Sequence, residues 1–486
     1  MKELKELIKH VKVKKYVGQT NKQISSIEID SRKCLSNSMF VAVNGTQVNG
    51  HDFISKAIEL GATVVVCEIL PEQLIDNVTY LRVGNSSKAV SLIASAFFDF
   101  PSQEMKIVGV TGTNGKTTTT TLLYDLYKKL GVKTGLISTI AYHIHDEIFP
   151  STHTTPNAIR VQELFRKMVD SGCEICFMEV SSHALDQNRV FGVDFDIAVF
   201  TNISRDHLDY HKDYNEYISV KKRLFDGLSE HAFALTNVDD KHGETMILHT
   251  KAKVKTYAIQ QVADYKTKAL ETDLNGSLVQ MNKTELFIQL IGLHNLYNAT
   301  VCFAVADLLG INEMDILTSL SILKTAKGRF EQVKSKTGQT AIVDYAHTPD
   351  ALENILKAIH QIIPKTSKVF TVVGCGGDRD KGKRPMMAEI AMKYSNQVVF
   401  TSDNPRSEDP YQIIEDMESG LKPEDGARFL SIVDRRSAIR TALKLAETQD
   451  VVLIAGKGHE DYQIVNGEKS HFDDVEEVEQ YFKLID

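Results

Sequence analysis

The chain lacks any apolar stretch long enough to span a bilayer, any cysteine framework, any basic excess, and any internal repeat or low-complexity segment. Each absence excludes something. Without about twenty consecutive apolar residues no membrane insertion is expected. The opening Met1–His10 spreads charges through its apolar positions, where a secretory signal carries an unbroken apolar core, so a cytoplasmic protein is expected. The six cysteines, at positions 34, 67, 173, 176, 302 and 375, are scattered and lie mostly in or beside apolar runs, which reads as reduced, buried thiols. Cys173 and Cys176 have zinc-like spacing, but no second pair of cysteines or histidines matches it. They are expected to open a strand over 175–180 instead. A formal net charge of −8 argues against a nucleic-acid partner, which calls for a basic face. Any polyanionic substrate must then be held locally, by Arg, Lys, Mg²⁺ and backbone N–H groups.

What is present is an ordinary globular composition, 42% hydrophobic and 25% charged, spread over 486 residues. That length exceeds one core and suggests three α/β domains. Residues 1–102 alternate short strand-like pieces (24–29, 39–43, 63–67, 80–83) with helical stretches (53–60, 89–97), and the Phe100-Pro-Ser-Gln-Glu104 break ends them. Residues 103–329 contain the near-continuous apolar runs 107–110, 175–180 and 197–200, expected of strands covered on both faces, and a more polar alternating stretch, 253–290, that suggests antiparallel strands. The central domain is therefore read as a mixed sheet. Residues 330–486 alternate runs at 341–343, 369–373, 398–401 and 451–455 with helical segments, the rhythm of a doubly wound, Rossmann-like parallel sheet. Ligands of such sheets gather at the carboxyl ends of the strands.

The strongest single motif is Val110-Thr-Gly-Thr-Asn-Gly-Lys-Thr-Thr118, placed after a strand-like run and before an amphipathic helix. Gly112 and Gly115 let backbone N–H groups approach phosphate oxygens, Lys116 supplies a cation, and the Thr117 hydroxyl can hold Mg²⁺. ATP or GTP is the expected substrate. The match departs from the strict P-loop pattern, because Val110 stands where that pattern has glycine.

A series of motifs in order, running from Thr111-Gly-Thr-Asn-Gly-Lys-Thr117 through His153-Thr-Thr-Pro156, Glu179-Val-Ser-Ser-His183, Thr201-Asn-Ile-Ser-Arg-Asp-His207, His294-Asn-Leu-Tyr-Asn298, Gly328-Arg-Phe-Glu331 and Asp344-Tyr-Ala-His347 to the later loops Gly374-Cys-Gly-Gly-Asp-Arg379, Asp403-Asn-Pro-Arg406 and Gly456-Lys-Gly-His-Glu460, resembles the Mur ligase family along essentially the whole chain. The resemblance implies an ATP-dependent acid–amino-acid ligase of peptidoglycan precursor synthesis, acting through an acyl phosphate. It implies as substrates UDP-N-acetylmuramoyl-L-alanyl-D-glutamate and meso-diaminopimelate, and a monomer. Gly112, Thr113, Asn114, Gly115, Lys116, Thr117 and Thr118, with Asn295, Arg329 and Asp344 at the adenosine end, are expected to bind ATP. Lys116, Lys221, Glu179 and His207 are expected to be catalytic. Two Mg²⁺ ions are implied on Thr117, Glu179, His207 and Lys221, the last as a CO₂-derived carbamate, since a bare ammonium repels a cation. On the residues alone Lys221 reads as a solvated helix-face lysine like Lys222 and Arg223.

The same resemblance places the muramoyl dipeptide on Ser31, Thr154, Thr155, Ser181, Gln187 and Arg189. It places meso-diaminopimelate on Arg379, Asp403, Asn404, Pro405, Arg406, Gly456 and Glu460, with the Arg406 guanidinium on the distal carboxylate and Glu460 on the distal ammonium. L-Lysine lacks that carboxylate and would leave Arg406 unpaired. The alternative within the family is an L-lysine-adding ligase; folate polyglutamylation would leave the Asp403-Asn-Pro-Arg406 and Gly456-Lys-Gly-His-Glu460 loops without work. Two readings come from other classes: a P-loop small-molecule kinase, which would release a stable phosphoester, and a non-catalytic nucleotide switch, which would need no second substrate.

Overall fold

The valine- and isoleucine-rich runs become strands whose alternate residues feed opposite faces, and the segments between them become capped amphipathic helices. A computed structural model describes residues 1–45, 48–204 and 210–485. The chain forms two compact units, one of Met1–Gly112, Leu123–Asn202 and Asp213–Thr256, the other of Thr113–Leu122, Ile203–Lys212 and Tyr257–Asp486.

The first unit contains two larger sheets and the two-stranded pair Lys2–Glu3 with Gln23–Ile24. Its amino-terminal sheet has the strand order Val13–Val17, Thr79–Val83, Ala62–Cys67, Ser38–Val41, Ser26–Glu28. Only the Val13–Val17 strand runs antiparallel to its neighbour. Val64 and Val66 pack on one face with Leu81 and Ile93, while Val65 and Cys67 pack on the other with Phe40 and Tyr80. The expected strand over 24–29 is interrupted at Ser25 into Gln23–Ile24 and Ser26–Glu28, which belong to different sheets.

Its second sheet is parallel through Thr134–Ile137, Ile175–Glu179, Lys106–Thr111, Ile197–Phe200 and Phe233–Asn237. An antiparallel meander, Ala141–Ile144 and Glu147–Pro150, closes one edge. Cys176 lies inside the strand Ile175–Glu179, and all six cysteines are free and buried. The sheet is mixed, as expected.

In the second unit Tyr257 and Ala258 pair in parallel with Tyr265 and Lys266. Antiparallel pairing begins only with Tyr265–Asp273, Gly276–Met281 and Thr284–Ile288. The expectation of antiparallel strands from 253 onward is therefore corrected for the first pair: the six-residue connection 259–264 crosses over and brings the chain back in the same direction.

Beyond it stands a six-stranded sheet in the order Glu331–Lys334, Thr340–Asp344, Val451–Ala455, Val369–Val373, Gln397–Phe400, Phe429–Ser431. All neighbours are parallel except the first, an edge strand that sequence patterning did not announce. Ile342 and Leu453 pack under the helices Pro349–Ile362, Lys383–Tyr394 and Pro410–Glu418. Ala341, Val343, Val452 and Ile454 pack under Arg435–Leu445 and Asp474–Ile485. Helices on both faces make this the doubly wound sheet that was expected.

Side-chain caps start these helices: Thr348 accepts from the Ala351 N–H ahead of Pro349, Asp409 from Tyr411 ahead of Pro410, and Asp434 from Ser437. Among the described residues no helix is long and apolar enough to cross a membrane.

Candidate active site

In the first unit the strand Lys106–Thr111 ends at Gly112, whose φ of +151° and close surroundings exclude a side chain: a Cβ there would lie 1.9 Å from Thr201 Oγ1. The Gly112 carbonyl accepts from Lys221 Nζ at 2.8 Å. Lys221 is 1% exposed on the helix Tyr214–Asp226, its ammonium 4.6 Å from the Tyr217 ring centroid. Its neighbours behave differently, Lys222 pairing with Asp226 and Arg223 with Asp186 near solvent. The solvated-face reading of Lys221 is thereby excluded.

Glu179 closes the strand Ile175–Glu179 and is 1% exposed. Its carboxylate accepts from the Thr139 N–H at 2.7 Å and from Thr139 Oγ1 at 3.2 Å, and no basic side chain pairs with it among the described residues. A buried carboxylate with neutral donors and no counter-cation has the chemistry of a hard divalent-cation ligand. Around it lie several of the candidate substrate residues. Thr155 Oγ1 donates to the Glu179 carbonyl at 2.7 Å and accepts from the Ser181 N–H at 3.1 Å, while Thr154 and Thr139 hydroxyls meet at 3.0 Å. Arg189 donates to the Thr155 carbonyl at 2.7 Å and forks onto Gln187 Oε1 at 2.7 and 3.0 Å. Ser31 is buried in the short turn Ser31–Lys33 and no bond joins it to this cluster; Asp30 beside it caps and pairs with Arg32.

In the second unit, Lys116 opens the helix Lys116–Lys129 and curls back onto the Thr113 carbonyl at 2.8 Å. Thr113 Oγ1 accepts from the Ser204 N–H at 3.0 Å; Gly115 has φ +88°, and Thr117 and Thr118 are both buried. Asn114, between Thr113 and Gly115, is half-buried. Thr117 Oγ1 accepts from Arg329 Nη2 at 3.4 Å.

A second link runs from Thr119 Oγ1 to Asn298 Oδ1 (3.0 Å), from Asn298 Nδ2 to Asn295 Oδ1 (3.1 Å), and from Asn295 Nδ2 to the Ile291 carbonyl (2.9 Å). Asn298 therefore ties the phosphate-loop helix to Asn295, a role sequence spacing did not assign. Asp344 accepts from the Phe330 N–H at 2.7 Å and the Ala346 N–H at 2.8 Å; enclosure raises its carboxyl above the usual range, with Arg329 working against the rise. The Arg329 guanidinium lies 4.5 Å over the Tyr345 ring.

The remaining candidates sit at the carboxyl ends of the doubly wound strands. Arg406 adopts a left-handed φ of +54°, and its backbone is held on both sides, N–H to Ile464 at 3.0 Å and carbonyl from Asn466 at 2.7 Å. Its guanidinium donates to the Gly377 carbonyl at 2.8 Å. A Cβ on Gly376 would lie 2.9 Å from Arg406 Nη1 and 3.8 Å from Arg379 Cγ, so both arginines flank that glycine. Glu460 Oε2 accepts from Asn404 Nδ2 at 2.7 Å; burial and Asp403 raise its carboxyl, opposed by Lys457. Asp403, Asn404 and Pro405 are buried, and Gly456, at φ +118°, donates to the Asp344 carbonyl at 3.0 Å. A Cβ on Gly328 would lie 2.0 Å from the His459 nitrogen, and one on Gly458 2.6 Å from the Gly328 oxygen, so these two segments touch backbone to backbone. Burial, with Arg329 and Lys327 adding to it, pushes the His459 imidazole down to about 3.

Sequence reasoning missed the charges that hold these loops. Arg384, 0% exposed, forks onto Glu408 at 2.9 and 3.0 Å and reaches Asp416 at 2.7 Å, while Glu408 also accepts from the Asp378 N–H. Arg435 and Asp474, both 0% exposed, pair at 2.7 and 2.8 Å beneath the Ala455 carbonyl. Neither pair leaves a local signal, since its partners lie tens of residues apart. Lys457, between two glycines after a buried strand, was visible as a motif member but given no work. His207 lies outside the described residues, and among those described no group of three or more His, Cys, Asp or Glu is placed to hold a metal.

Comparison with known proteins agrees in order and extent. The profile of the Mur ligase family catalytic domain matches residues 23–99, that of the Mur ligase middle domain 110–306, and that of the Mur ligase glutamate ligase domain 328–458. The chain is 50% identical to the UDP-N-acetylmuramoyl-L-alanyl-D-glutamate–2,6-diaminopimelate ligase of Phocaeicola vulgatus, covering 99% of each chain, and 49% identical to that of Bacteroides fragilis over the same shares. A solved structure of a ligase of that name superimposes with a TM-score of 0.72 at 32% identity, covering 100% of this chain and 99% of the other. The chain belongs to the Mur ligase family.

Proposed function

We propose that this chain joins meso-diaminopimelate to UDP-N-acetylmuramoyl-L-alanyl-D-glutamate at the expense of ATP, as a cytoplasmic monomer with three domains, 1–102, 103–329 and 330–486. The observation that carries the reading is the paired loop set of the second unit, where Arg379 and Arg406 flank Gly376 and Glu460 is anchored by Asn404. A guanidinium fork and a carboxylate in one set of loops match the distal carboxylate and ammonium of a diamino diacid. The full-length relatives that carry the ligase name support the same reading.

A carboxylate is a poor electrophile, so the reaction needs the γ-phosphoryl group on it first; the amine then attacks and phosphate departs. Both steps gather negative charge on oxygen, and the protein's contribution is positioning and charge stabilisation. Gly112 to Thr118 bind the phosphates, with Lys116 exchanging the Thr113 carbonyl for a phosphate oxygen. Asn295, Arg329 and Asp344 hold the nucleoside end. Thr154, Thr155, Ser181, Gln187 and Arg189 bind the dipeptide near its carboxylate, and Ser31 the uridine end.

Mg²⁺, when bound, neutralises the oxygens of the transferring phosphate. Thr117, Glu179 and His207 are assigned to it, with Lys221 as a carbamate: the ammonium first gives up a proton, the neutral amine attacks CO₂, forming an N–C bond and releasing a second proton, and the buried cation becomes an anion.

The test supplies ATP and the UDP-muramoyl dipeptide with meso-diaminopimelate, L-lysine or no amine, and reads phosphate release and product mass. Phosphate and a tripeptide product only with meso-diaminopimelate are expected. Equal use of L-lysine transfers the assignment to the lysine-adding ligase, and a phosphorylated product without amide refutes ligation.

A further inference from the structure

Lys457 has no place in the chemistry so far, yet it is the most enclosed charge in its loop, 0% exposed. Its ammonium lies 3.3 Å from Asn404 Oδ1, 3.4 Å from Asp403 Oδ1 and 3.6 Å from Glu460 Oε2, with the Tyr462 ring 5.6 Å away. An ammonium has donors only, so it can face only the oxygen of the Asn404 amide. The Ile464 N–H donates to that same oxygen at 2.9 Å. Two donors on one side fix the amide, and its NH₂ is thereby turned onto Glu460 Oε2 at 2.7 Å. Glu460 Oε1 is left without a partner among the described residues.

Two carboxylates, Asp403 and Glu460, face this one ammonium, and the Arg406 guanidinium acts on Glu460 as well.

We propose that Lys457 is a positioning and specificity-determining residue: through Asn404 it aims Glu460 at the distal ammonium of the incoming diamino acid, without touching the substrate itself. The inference rests on the diaminopimelate-adding reading and deepens it. Lys457 also offsets the effect of burial and of Asp403 on Glu460, which both favour the neutral acid.

The experiment compares wild type, Lys457→Met and Lys457→Gln in steady-state phosphate release with meso-diaminopimelate and with 2-aminopimelate, which keeps the distal carboxylate and lacks the distal ammonium. For Lys457→Met, KM for meso-diaminopimelate should rise about 10- to 100-fold, the range set by one charge-assisted hydrogen bond. KM for ATP and for 2-aminopimelate should move less than about 3-fold, so the preference between the two amines collapses. In a Glu460→Gln background, adding Lys457→Met should change little, because the two act as one unit.

Equal losses for both amines, or a parallel loss for ATP, would show a merely structural lysine and overturn the proposal. So would unchanged selectivity. If Lys457→Met does not fold, Lys457→Gln, which retains a donor for Asn404, decides; if neither folds, the lysine is structural and the proposal fails. A wild-type enzyme that does not use meso-diaminopimelate refutes the ligase reading itself, a result separate from any variant.

Discussion

Replacing Arg406 with alanine removes a guanidinium whose assigned task is to fork onto the distal carboxylate. Each charge-assisted hydrogen bond is worth about 1.5–3 kcal/mol, so losing two costs about 3 kcal/mol at the low end, on the order of 100-fold in kcat/KM for meso-diaminopimelate. KM for ATP should stay within about 2-fold, because the proposed nucleotide side of the site, Asn295, Arg329 and Asp344, shares no hydrogen bond with Arg406. The backbone supplies a control. Arg406 sits at φ +54°, so Arg406→Gly relieves left-handed strain that Arg406→Ala retains, and should be more stable than Arg406→Ala by about 0.5–1 kcal/mol after glycine's own entropy cost. It should be no more active. Phosphate release at saturating ATP and dipeptide, with the amine varied, gives the kinetic result; urea midpoints give the stability order. An equal rise in KM for ATP, or a glycine variant less stable than the alanine one, would refute the reasoning.

Glu408→Gln leaves the fully buried Arg384 with Asp416 as its only carboxylate and should destabilise the protein by about 3 kcal/mol in urea unfolding. Arg384, with the Asp378 N–H, holds the Glu408 carboxyl down at about 2 against an ordinary 4.5. Its stabilisation is therefore full above pH 4.5 and lost as pH falls towards 2, a decline the Gln variant should show less steeply. Asn298→Ala breaks the link between the phosphate-loop helix and Asn295, and should raise KM for ATP about 10-fold while leaving KM for meso-diaminopimelate unchanged. Lys221→Gln should lower kcat by at least about 100-fold. Stripping dissolved CO₂ should lower wild-type activity and bicarbonate restore it; an unaffected enzyme would exclude the carbamate.

Much of the architecture was legible because it follows from local pattern. The run at 107–110 became Lys106–Thr111 and that at 451–455 became Val451–Ala455, since an unbroken Val/Ile run between turn signals has few other stable outcomes. The parallel return at Tyr257 and the edge strand Glu331–Lys334 were not legible, because pairing direction and edge position depend on the path of the chain rather than on composition. The same division runs through the site. Gly112, Lys116, Glu179 and Arg406 stand in short motifs whose chemistry is local. Arg384 and Arg435 carry no local signal and Lys457 only its place in a motif, and the fold reveals that each is fully enclosed against carboxylates. Lys221 shows the limit most plainly: three consecutive basic residues share a helix, and which one turns inward is set by the Gly112 carbonyl, more than a hundred positions earlier.

The meeting of Gly328 with Gly458 carries its own consequence. With no side chain on either, the segment leading into Arg329 and the loop carrying Lys457 and Glu460 lean on each other as bare backbone, so a displacement of one is transmitted to the other without a compressible cushion. Alanine at either position would act as a wedge, prising apart the segments proposed for the nucleoside and the amine at once. A small molecule lodged in that seam would accordingly impair recognition of ATP and of the amino acid together, and resistance to it by enlarging either glycine would be self-defeating.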